Sequence, residues 1–92
     1  MKERVDEVRY SKSALKFIKS RTAKEKQRLR EIIDNNLKVL PAIGDVKPLQ
    51  GYSDKRMRLR VGGIRIIFRY DEEGNLLILS IIDIGMRGDI YK

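Results

Sequence analysis

The stretch from Arg56 to Arg69, Arg-Met-Arg-Leu-Arg-Val-Gly-Gly-Ile-Arg-Ile-Ile-Phe-Arg, constrains this chain more than any other. Apolar and basic residues alternate up to a Gly-Gly pair and largely alternate again after it. A period of two fits a strand with one face on a core, over Arg56–Val61 and again over Ile64–Tyr70. Gly62 and Gly63 suit the hairpin turn between them, because a type I′ turn needs positive φ at both central positions. A two-residue turn sets Val61 opposite Ile64, and every pair counted outward from it shares a face. Leu59 then meets Ile66 and Met57 meets Phe68, which makes one face wholly apolar. On the other face Arg60 meets Arg65, Arg58 meets Ile67 and Arg56 meets Arg69: five arginines around one isoleucine. Directly opposed like charges destabilise a sheet by a few tenths to about 1 kcal/mol per pair. A face that merely meets water is served by mixed polar residues, yet the segment from Lys55 to Arg69 holds six basic residues and no acidic one. An anionic ligand is the natural compensation. Arginine suits phosphate because its planar guanidinium donates two parallel hydrogen bonds and stays charged at any working pH.

The rest of the chain builds one α+β domain over residues 1–92 around that hairpin. Val5–Tyr10 reads as a short strand. Ser11 or Ser13 can cap a helix running to about Ser20, and Thr22 with Glu25 makes a capping box for a second. Leu29, Ile32, Ile33, Leu37 and Leu40 lie on one stripe at steps of three and four, so the second helix is expected to run to about Val39. Pro41 ends it. Residues 42–54, with Gly44, Pro48 and Gly51, read as a loop. After the hairpin, residues 71–75 form a turn, and Leu76–Ile84 is apolar on both faces, as a strand inside a sheet must be. The expected order is β-α-α-β-β-β, a helical hairpin packed on one face of a small, mainly antiparallel twisted sheet.

Composition narrows the chemistry. Twenty-one Lys and Arg against 13 Asp and Glu give a net charge of +8, which in a 92-residue domain points to a polyanionic partner, most often nucleic acid. Cysteine and histidine are both absent. Zinc fingers, redox dithiols and thiol- or imidazole-based nucleophilic catalysis are therefore excluded, and neither a metal nor another cofactor is expected. No secretory signal opens the chain and no apolar run is long enough to span a membrane, so the expected compartment is the cytoplasm.

The C-terminal segment Gly85-Met86-Arg87-Gly88-Asp89-Ile90-Tyr91-Lys92 adds one more arginine, flanked by turn-permitting glycines, and a tyrosine able to stack on a base. Taken one at a time, Arg87 is as readily a surface ion pair with Asp83 or Asp89, and Tyr91 as readily an anchor for a loose terminus.

Together, Lys47-Pro48-Leu49-Gln50-Gly51-Tyr52, the Arg-rich strand, its return Gly63–Phe68 and the ending Ile84–Tyr91 resemble the RelE/ParE superfamily of toxins from type II toxin–antitoxin systems. The resemblance covers nearly the whole chain and is strongest to the RelE-type messenger RNA interferases. It implies the fold above and a metal-independent endoribonuclease, with messenger RNA, the ribosome and a cognate antitoxin as partners. Position by position, the catalytic groups fall on Arg58, Arg65, Arg87 and Tyr91, with Arg56 orienting the backbone of the RNA. Arg60, Arg69, Lys55 and Lys47 complete the basic RNA-binding surface.

Two departures stand out. Many relatives have lysine where this chain has Arg56 and Arg58, and many have histidine where it has Met86. Tyr91, Lys47, Lys55 and Asp54 are left as proton acceptors, and the residues alone do not choose among them. The ParE branch, which poisons DNA gyrase, and a non-catalytic RNA-binding module are the alternative readings.

Overall fold

In the computed structural model, which describes residues 4–86, the Gly62-Gly63 turn closes the hairpin in the register that the alternation dictates. Strand β3 (Met57–Val61) pairs with β4 (Ile64–Glu73) through Val61↔Ile64, Arg60↔Arg65, Leu59↔Ile66, Arg58↔Ile67 and Met57↔Phe68. Of the two glycines only Gly62 takes a left-handed φ, 58°, so one turn position rather than both requires glycine. The other elements are β1 (Glu7–Tyr10), α1 (Lys12–Lys19), α2 (Ala23–Ile32), β2 (Asp45–Pro48) and β5 (Leu76–Met86). They make a five-stranded sheet of order β1-β5-β4-β3-β2, antiparallel except for the parallel β1–β5 pair. The apolar strand β5 is an interior strand, as its two apolar faces require.

Both expected caps are made. Ser11 Oγ accepts the Ala14 amide at 3.0 Å, and Thr22 and Glu25 form the reciprocal capping box. The helices cover the apolar face: Ala14, Leu29, Ile32, Ile33 and Leu37 pack on Leu59, Ile66, Phe68, Leu79 and Ile81. Tyr70 closes this layer, its hydroxyl donating to the Leu37 carbonyl at 2.6 Å, and burial pushes its pKa up to about 12. No helix among the described residues is long and apolar enough to cross a membrane.

Three sequence expectations are corrected. Residues 42–54 are not all loop: β2 lies within them and pairs antiparallel with β3, Asp45↔Arg60 to Pro48↔Met57. The order is thus β-α-α-β-β-β-β. A four-residue edge strand with one well-placed valine shows no periodicity, and at a sheet edge the missing N–H of Pro48 is tolerated. The second helix stays α-helical only to Ile32 and then widens into a π-helical turn over Ile33–Leu37, closed by the Lys38 amide on the Ile33 carbonyl at 2.9 Å. Asn36 donates its side-chain amide to the Ile43 carbonyl at 2.8 Å, the competing local bond that makes asparagine a poor helix residue. Finally, residues 71–73 belong to β4, which pairs with β5 as far as Glu73↔Leu76, so the turn is only Gly74-Asn75. The acidic residues at this end find cations within reach, Glu73 from Arg9 and Asp71 from Arg69.

Candidate nucleic-acid interface

Both described helices pack on the apolar face, which leaves the other face of the sheet to the arginines. The ladder orders its residues in rows. One row is Asp45–Arg60–Arg65–Gly85 and the next is Lys47–Arg58–Ile67–Asp83. A third holds Arg69 and Ser80, with Arg56 just beyond the start of β3. A β-bulge at Ile67/Phe68 leaves Ile82 of β5 unpaired, so Ile82 and Asp83 both border this face. An open groove of about 420 Å³ results, lined by Leu49, Tyr52, Arg56, Arg65, Ile67, Ile82, Asp83 and Ser13. Ser13 does not cap α1; it donates to Asp83 Oδ1 at 2.9 Å across the groove edge.

The arginines differ in how they are held. Arg56 and Arg69 do not oppose each other as a bare pair, because both grip Asp54. Arg56 Nη2 and Arg69 Nη1 each reach Asp54 Oδ2 at 2.7 Å, and Arg69 also bonds Asp71. The Arg56 guanidinium, with Arg69 beside it, holds the Asp54 carboxyl well below the usual carboxylate range. Asp54 is therefore a poor proton acceptor, and the general-base role left open for it by the sequence falls away. Internal carboxylates thus supply part of the compensation that the sequence assigns to a ligand.

Arg58 and Arg65 are not satisfied in this way. Arg58 is only 8% exposed, its nearest carboxylate is Asp45 at 3.6 Å, and its buried Nη1 has no hydrogen-bond partner. Arg65 lines the groove, and its side chain makes no hydrogen bond or ion pair among the described residues. A buried charged donor without an acceptor costs about 1–3 kcal/mol or more.

No protein-family model and no curated protein matches the sequence. Two solved structures do resemble the whole fold. The chain superimposes on the archaeal RelE–RelB complex from Pyrococcus horikoshii OT3 with TM-score 0.65 and 27% identity, over 96% of this chain and 98% of that one. On the RelB–RelE antitoxin–toxin complex from Methanococcus jannaschii it does so with TM-score 0.58 and 26% identity, over 90% and 94%. This chain has a RelE-like fold.

Within the RelE-type frame, the expected residues divide into three groups. Arg58, Arg60, Arg65 and Lys47 share adjacent rows of one face, while Arg56 and Arg69 flank it on Asp54. Lys55 is exposed in the preceding loop, with a left-handed φ of 61°. Arg87 and Tyr91 lie outside the described residues. Three contributors escaped sequence reasoning: Asp54 as the clamp on two arginines, Asp45 beside Arg58, and Tyr52 stacked on Arg56. The one signal for the first was an acidic residue just ahead of an all-basic run.

Proposed function

We propose that this chain is the toxin of a toxin–antitoxin pair and cuts messenger RNA on its arginine face. The observation that carries the reading is the pair Arg58 and Arg65: adjacent rows of one open face, one guanidinium with an orphaned buried N–H and the other free of any described carboxylate. In the reaction the RNA 2′-hydroxyl attacks the adjacent phosphorus while the bond to the 5′ oxygen breaks. The products are a 2′,3′-cyclic phosphate and a free 5′-hydroxyl. Negative charge gathers on the phosphoryl oxygens, and donors already in place stabilise it without reorganising. Arg58, Arg65 and Arg87 are assigned that role, and Tyr91 is assigned stacking on a base beside the cut or a part in proton transfer.

Proton transfer is the weak part of this site. Guanidinium does not give up its proton and Asp54 is held ionised, which leaves Tyr91, Lys47 and Lys55 as acceptors, with positioning of the 2′-hydroxyl by the ribosome supplying what a strong base does elsewhere. The partner is a RelB-like antitoxin. The relatives are RelE–RelB complexes, and beside β1 the helices border a groove of about 340 Å³ whose apolar wall of Leu15, Ile18, Leu29 and Ile33 is edged by Lys26, Arg30 and Lys38, the last paired with Asp34. An acidic amphipathic segment fits such a groove.

Mapping messenger RNA 5′ ends by primer extension after brief induction tests the function. The natural sequence should give new in-frame cuts, absent in folded Arg65→Ala and Arg87→Ala variants. Growth arrest with intact transcripts and damaged DNA would move the reading to a gyrase poison.

A further inference from the structure

We propose that Tyr52 and Arg56 form a stacking subsite for one unpaired nucleobase of the RNA, beside the arginines that face its phosphates. The inference rests on the RNA reading above and adds a contact which that reading does not use. Tyr52 lies in the β2–β3 loop and is 52% exposed. The Arg56 guanidinium carbon stands 4.1 Å from its ring centroid. Asp54 fixes that guanidinium edge-on, accepting from Nε at 3.0 Å and from Nη2 at 2.7 Å, and Arg69 holds Asp54 in turn. The ring is thus backed by an immobilised planar cation while the residue stays half exposed in the groove lining, a platform whose ordering is complete before a ligand arrives.

The groove wall supports the same assignment. Phosphates need only the cations Arg56 and Arg65, yet Leu49, Ile67, Ile82 and Tyr52 line the space between and around them. A mixed lining of guanidinium, aliphatic and aromatic surface matches a nucleotide, base and phosphate together, rather than phosphate alone. A base can leave its neighbours for this platform only in single-stranded RNA, so the subsite selects unpaired segments.

The test is a fluorescence titration of the full chain with a 2′-O-methylated RNA hexamer, which cannot be cleaved, carrying 2-aminopurine at each position in turn. Natural protein should quench one position strongly. Tyr52→Phe should retain the quench and the affinity. Tyr52→Ala should lose the quench and weaken binding about 5- to 150-fold, the range for one stacked base, with the salt dependence unchanged because no phosphate contact is lost. Arg65→Ala should do the opposite: keep the quench and flatten the salt dependence. Tyr52→Ala that quenches and binds like the natural chain, while Arg65→Ala is weakened, overturns the subsite and leaves the RNA reading standing. No binding of the hexamer by natural protein, even at low salt, overturns both.

Discussion

Arg58 shows what the arginine face costs its own fold. Its side chain is buried, 3.6 Å from Asp45, with Nη1 lacking an acceptor. Replacing a buried, incompletely paired charge by an apolar chain of similar length is often neutral or stabilising. Arg58→Met should therefore leave stability unchanged or raise it by about 1 kcal/mol or more in urea unfolding, while RNA cleavage is lost. A loss of stability instead would mean that Asp45 fully compensates the guanidinium. Tyr70 makes the contrasting case of a half-buried polar group that is satisfied. Its pKa is raised to about 12 from the ordinary tyrosine value of about 10, so the protonated form is favoured by the fold. The stability this provides is fully present below about pH 10 and is lost as the pH rises through the folded value. Tyr70→Phe should cost about 1 kcal/mol at neutral pH through the lost bond to Leu37 and should flatten the fall in stability between about pH 10 and 12.

At the scale of elements, the hairpin and the caps held because their signals were doubly determined, whereas the long apolar stripe of the second helix did not keep it α-helical beyond Ile32. The hairpin register followed from a period of two anchored by a glycine pair, and all five backbone pairs of β3 with β4 obey it. The caps followed from Ser11 and the Thr22–Glu25 spacing. Thr22→Ala should cost about 1 kcal/mol in thermal unfolding without changing RNA affinity, since the cap lies on the helical layer. A larger effect on RNA than on stability would place α2 in the interface. What else escaped was short or non-local. Asp-Val-Lys-Pro is too brief for periodicity to reveal β2, and only its neighbour β3 makes it a strand. The clamp of Asp54 on Arg56 and Arg69 joins residues two and fifteen positions away. No local pattern announces such a contact. Its effect on the functional reading is direct: of five arginines on one face, two are gripped by Asp54, Arg58 is buried beside Asp45, and Arg60 and Arg65 are left available.

For the molecule as a whole, the two faces of one sheet divide the work. The helices cover one face with a core, and the other keeps a concentration of positive charge that the net charge of +8 only hints at. Binding to single-stranded RNA should weaken steeply with salt, since each neutralised phosphate contributes roughly 0.7 to the slope of log affinity against log salt. Arg65→Ala should reduce that slope by about this amount. Arg69→Ala should change it little, because Asp54 and Asp71 already neutralise that guanidinium. Equal effects would mean that RNA displaces the internal ion pairs. The RelE-like arrangement of the whole chain and the unsatisfied Arg58 and Arg65 converge on one chemical claim, cleavage by the RNA's own 2′-hydroxyl. The most direct test incubates the protein with ribosomes carrying a defined messenger RNA, natural or with a single 2′-deoxy nucleotide 5′ to the cut, and reads the product ends by mass spectrometry. The account predicts a 2′,3′-cyclic phosphate and a 5′-hydroxyl from the natural message and no cut in the deoxy message. Cleavage that persists at the deoxy position, or a 5′-phosphate product, would contradict it.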